Sequence, residues 1–116
     1  MELQLTDKVV IVTGGSKGIG AAAVRSFATE GARVVIAGRS PSEGVVLAKE
    51  VNGLFVEAEL AEEVACRKVV DESLSAFGRI DILVNNAGFN DGRDLYPSPV
   101  DLMSSGNVDL SHVYTL

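Results

Sequence analysis

Four short apolar runs punctuate the chain, and each of the first three is followed by a stretch with apolar residues at helical spacing. The runs are Lys8 to Val12, Arg33 to Ala37, Leu54 to Glu57 and Ile80 to Val84. Continuous runs of this length, rich in β-branched residues, predict strands buried on both faces, as in parallel sheets. After Gly18 a helix is expected with Ile19, Ala23 and Phe27 on one face at i, i+4 and i+8; Gly31 ends it. Its Ala21, Ala22 and Ala23 suit close approach to a sheet. A second helix starts at Ser40-Pro41-Ser42-Glu43, with a hydroxyl cap, an early proline and an acid in the first turn, and stops near Asn52-Gly53. A third covers roughly Glu62 to Phe77, where Cys66, Val70, Leu74 and Phe77 recur on one stripe, and Gly78 closes it. That periodicity makes Cys66 a buried small hydrophobe rather than a reactive thiol.

Strand and helix alternate without a break from Lys8 to Val84. Such alternation predicts an α/β fold: an open, doubly wound parallel sheet joined by right-handed crossovers, in the order 3-2-1-4. Residues 1–116 then form a single, incomplete domain of about four strands. Asn90 to Pro99 reads as loop, because its two prolines exclude a helix interior. Val100 onward predicts the start of a helix, interrupted by Gly106, with Leu116 inside it. In this arrangement the Ile80 to Val84 strand lies at the sheet edge. Its unpaired backbone groups invite pairing with another copy, so self-association and marginal stability of the isolated chain are expected.

Composition narrows the partners. The chain has 116 residues, 47% hydrophobic and 22% charged, as expected of a globular domain with a sizeable core. A net charge of −6 argues against duplex nucleic acid or an anionic membrane as partner. One cysteine and one histidine give neither an internal disulfide nor a metal cluster. No apolar run approaches the ~18 residues of a membrane span and Met1 to Lys8 is polar, so a cytoplasmic protein is expected.

The chemistry concentrates where the first strand meets its helix, at Thr13-Gly14-Gly15-Ser16-Lys17-Gly18-Ile19-Gly20. A helix N-terminus carries unpaired N–H groups and partial positive charge, which suits a pyrophosphate, and glycines let the ligand reach the backbone. The common G-x-G-x-x-G/A register, placed at Gly18, fails because its first glycine should close the strand, and Val12 lies well before it. With Gly14 at the strand end the pattern is TGxxxGxG, which resembles the short-chain dehydrogenase/reductase family. Directly after the fourth run, Asn85-Asn86-Ala87-Gly88 is similar to that family's NNAG motif, which supports the sheet and lines the cofactor cleft.

The resemblance implies a nicotinamide dinucleotide cofactor, with Gly14, Ser16, Lys17, Gly18, Ile19, Gly20, Asn86, Ala87 and Gly88 around it. Glu59 and Leu60 stand where family members place an acid and an aliphatic residue about the adenine. The second strand ends at Gly38-Arg39; Gly38 occupies the position where an acid would bind the ribose of NAD, and Arg39 can take an extra phosphate bidentately. Lys17 adds a second cation, so NADP(H) is expected as the preferred cofactor, with NAD(H) as the alternative. Asn90-Asp91-Gly92 and Val108-Asp109-Leu110 are similar to sugar- and alcohol-oxidising, fucose dehydrogenase-like members.

Two departures from the family pattern bear on activity. Asp109 stands at the position where members carry a helix asparagine. The family's Tyr-x-x-x-Lys motif is also missing: neither Tyr96 nor Tyr114 has a lysine four residues on, and Lys68 is the last lysine. In the intact family that tyrosine exchanges a proton with the alcohol or carbonyl oxygen, its pKa lowered by the lysine. The expectation is the cofactor-binding half of an oxidoreductase acting on alcohol or carbonyl groups, catalytically silent as a truncated chain. The alternatives are an NADP(H)-binding module or docking partner without catalysis, and a non-functional truncation product.

Overall fold

The computed structural model describes residues 5–14, 18–59, 63–86 and 113–115. In chain order the elements are β1 (Val9–Thr13), α1 (Gly18–Thr29), β2 (Arg33–Gly38), α2 (Pro41–Val51), β3 (Leu54–Glu57), α3 (Glu63–Phe77), β4 (Ile82–Asn85) and β5 (Tyr114–Thr115). The sheet runs β3-β2-β1-β4-β5 with every pairing parallel, so the expected 3-2-1-4 order is present within it. β1 lies at the centre, in register with Val34 through Val10 on one side and with Ile82 on the other.

Helices on both faces explain why the strand sequences are continuously apolar. Side chains alternate along each strand, so Val9 and Ile11 face one layer and Val10 and Val12 the other. The first layer joins Val35, Ala37, Val56 and Leu83 to Cys66, Val69 and Val70 of α3. The second joins Val34 and Ile36 to Ala21 and Val24 of α1 and to Leu47 and Ala48 of α2. Cys66 is fully buried, as its place on the α3 stripe requires. Gly44 of α2 sits so close to β3 that an added Cβ would run into the Phe55 ring.

Three expectations are corrected. The packing face of α1 is not Ile19-Ala23-Phe27: Gly20, Ala21 and Val24 are buried, Phe27 and Ala28 join the core in part, and Ile19 is 82% exposed. The fourth strand is not the sheet edge, because β5 pairs with it, Tyr114 with Ile82 and Thr115 with Leu83. The same pairing puts a strand where the sequence predicts helix, and it covers Ile82 and Leu83 of the β4 edge on which self-association rested. Finally, Ser40 precedes α2 but its side chain makes no capping bond; the other end of the helix stops where expected, at Asn52 in the left-handed conformation, φ 56°.

Candidate functional site

Parallel strands bring all their C-terminal ends to one edge of the sheet. There β1 ends in Thr13, fully buried at 1% exposure and carrying a hydroxyl that must find partners. Thr13 Oγ1 accepts from Asn86 N–H at 2.9 Å and lies 3.3 Å from both Val84 O and Asn85 Oδ1. One hydroxyl proton serves one of those two acceptors at a time. Gly14 follows with φ 66°, a conformation that favours glycine. Its N–H donates to Ala37 O at 2.8 Å and its carbonyl accepts from Asn86 Nδ2 at 3.2 Å. The residue leaving β1 is thus tied to β2 on one side and to the end of β4 on the other.

Gly18 opens α1, again with positive φ, 56°. Among the described residues, a Cβ added there meets no atom within 4 Å. The first N–H groups of a helix have no intrahelical partner and remain available for an anion. Ile19 projects outward from the same turn, and Gly20 is buried.

The ends of β2 and β3 supply charge. Gly38 and Glu57 are register partners, and Ala58 N–H donates to Gly38 O at 2.8 Å. Just beyond, Arg39 Nη1 meets Glu59 Oε2 at 3.4 Å. Lys68 of α3 reaches back to Glu57 O at 3.0 Å. Among the described residues no three histidine, cysteine or acidic side chains gather as a metal site would require, and no helix is long and apolar enough to cross a membrane.

Gly14, Gly18, Ile19, Gly20, Arg39, Glu59 and Asn86 therefore all lie at this edge or in the first turn that follows it. Ser16, Lys17, Leu60, Ala87, Gly88 and Asp109 lie outside the described residues. Thr13 opens the TGxxxGxG pattern but is given no role of its own there. Its signal was a hydroxyl closing an otherwise apolar buried run, since such a group needs a bond from a neighbouring strand.

The sheet order agrees with what known proteins show. The short chain dehydrogenase family model matches residues 8–108. A mouse L-fucose dehydrogenase is 40% identical over 115 residues, spanning 94% of this chain and 41% of its own length. Tropinone reductase-like 2 of Erythroxylum coca is 35% identical over 115 residues, spanning 97% of this chain and 41% of its own. A crystal structure of a short chain dehydrogenase from Bacillus anthracis superposes with TM-score 0.68 at 40% identity, over 72% of this chain and 36% of that one. The chain thus spans well under half the length of these relatives. Glycine turn, strand order and matched family together place it: the chain belongs to the short-chain dehydrogenase family.

Proposed function

We propose that this segment binds a nicotinamide dinucleotide at the C-terminal edge of the sheet, with NADP(H) preferred over NAD(H). It is the cofactor-binding part of a single domain in an oxidoreductase acting on alcohol or carbonyl groups. The observation that carries the reading is Gly18, opening α1 after β1 in a left-handed conformation, where an added Cβ meets no described atom within 4 Å. The residues fit such a group. The first turn of α1 offers free N–H donors to a pyrophosphate, and Ile19 gives the ligand an apolar surface to cover. At the neighbouring strand end Arg39 offers a planar fork to a ribose phosphate, and Gly38 leaves room beside it. Asn86 holds Gly14, the residue that leaves β1, and Thr13 in turn holds Asn86.

When bound, the nicotinamide supplies hydride exchange with a carbon of the substrate. This chain's own residues bind and orient; the Tyr-x-x-x-Lys pair that moves the proton in the family is not among the 116 residues. By this reading the segment alone holds a dinucleotide without turning over an alcohol, as a binding module would. Two measurements test it. Arg39→Asp replaces a phosphate partner by a repelling charge: NADP(H) affinity should fall at least tenfold, or ~1.4 kcal/mol, while NAD(H) affinity holds or rises. An equal response of both cofactors refutes the preference. Alcohol oxidation by the purified 116-residue segment would refute its assignment as binding part only.

A further inference from the structure

At the ends of β2 and β3 a cation and an acid share the surface to which the cofactor reading assigns the adenosine ribose. The two strand ends are locked by register, Gly38 opposite Glu57, and by the bond from Ala58 N–H to Gly38 O. That lock brings Arg39 and Glu59, twenty residues apart in sequence, to 3.4 Å. Resting on the cofactor reading, we infer that Glu59 is a specificity-determining residue. By engaging Arg39 it opposes binding of a 2′-phosphate and so sets the balance between phosphorylated and unphosphorylated dinucleotides.

The argument is electrostatic. A phosphate monoester carries about −1.5 to −2 charges near neutral pH. To use Arg39 it must displace the Glu59 carboxylate or bind beside it, and either course costs attraction. A ribose hydroxyl carries no charge; it meets no such penalty and can donate to a carboxylate. The edge therefore holds both recognition chemistries at once, a guanidinium for the phosphate and an acid for the hydroxyl. Because the Arg39 side chain is 71% exposed and that of Glu59 38%, the coupling is screened and modest.

The test uses the protein at its natural length and two probes differing by one group, adenosine 5′-monophosphate and adenosine 2′,5′-bisphosphate. Taking their affinity ratio cancels any contact that Glu59 makes with the shared adenine. In Glu59→Gln the ratio should shift about two- to fivefold toward the bisphosphate at low salt, and less at ~0.15 M ionic strength. In an Arg39→Ala background the same substitution should leave the ratio unchanged, because the coupling runs through the guanidinium. An unchanged ratio in Glu59→Gln, or a shift that persists without Arg39, overturns the inference while leaving the cofactor reading intact. If the unaltered protein binds neither probe, the cofactor reading falls and this inference with it.

Discussion

The N-terminal ends of β1 and β4 close their polar groups onto one another, whereas at the C-terminal edge an added Cβ at Gly18 or Gly38 meets no described atom within 4 Å. At the first edge Val9 N–H donates to Asp81 Oδ2 at 2.9 Å, and Asp81 N–H donates to Val9 O at 2.9 Å. Arg79 adds a two-pronged contact to the same carboxylate, at 2.9 and 2.7 Å. Gly31, left-handed at φ 89°, packs there against Thr6. At the second edge Gly18 is also left-handed, but a Cβ added there meets no described atom within 4 Å. Space alone is no signature, since Gly78 at the end of α3 has it too. What separates Gly18 is that it starts a helix after the central strand, on the edge where Arg39 stands. Under the proposed function this is a division of labour: one edge is finished for stability and the other is kept for a ligand.

The largest expected effect comes from breaking the closed edge. Asp81→Ala removes the acceptor of a buried strand N–H and the partner of Arg79, and should cost about 2 kcal/mol. Denaturant unfolding should show a lower midpoint at unchanged slope, and dinucleotide affinity of the folded protein should hold. The same carboxylate gives a pH signature. Burial opposes its ionisation, but hydrogen bonds from Arg79 and Val9 N–H and the charges of Arg79 and Lys8 outweigh it, so its pKa lies below the usual aspartate value. A depressed folded-state pKa means stability present above the unfolded value and lost as pH falls through the folded one. The stability difference between the natural protein and Asp81→Asn should therefore be full near neutrality, begin to shrink as pH falls through ~3.9, and vanish only below the lower folded-state pKa. A difference independent of pH would show that the charge on Asp81 contributes nothing.

Thr13→Val probes the other edge with a smaller loss. The shape is kept, but Asn86 N–H loses its 2.9 Å acceptor and keeps only Val84 O at 3.1 Å. About 1 kcal/mol of stability should go. Dinucleotide affinity should fall with it, because Asn86 holds Gly14 at the turn. Unchanged affinity at reduced stability would make Thr13 a structural residue like Asp81 and blur the division between the edges.

Much of this was legible in the sequence. Runs of β-branched residues and glycine stops placed β1 to β4 and the three helices to within a few residues, and parallel order followed from their alternation. The phase of α1 was hidden because its buried positions are Gly20 and Ala21, whose small side chains carry little hydrophobic signal, while the exposed Ile19 carries much. Tyr114–Thr115 is too short to register as a strand, and only its pairing with Ile82 and Leu83 defines it. The Arg39–Glu59 pair was out of reach for a different reason: it exists only once the register of β2 and β3 is known.

The smallest effect on stability is expected from filling the open edge. Gly38 ends β2 outside the left-handed region, and an added Cβ meets nothing within 4 Å, so a side chain fits there without backbone strain. Its register partner is Glu57, so Gly38→Asp places like charges on adjacent strands at a cost of about 0.5 kcal/mol. The gain is chemical. An acid at the end of the second strand can accept from both hydroxyls of an unphosphorylated ribose and repels a 2′-phosphate. Arg39 remains beside it, so selectivity should move toward NAD(H) by less than the Arg39→Asp change produces. Titration calorimetry with both cofactors checks the direction, and a thermal melt checks the cost. If Gly38→Asp leaves the NAD(H) to NADP(H) ratio where it was, the ribose does not sit at this strand end. The left-handed glycine that opens α1 would then have to be explained without a dinucleotide.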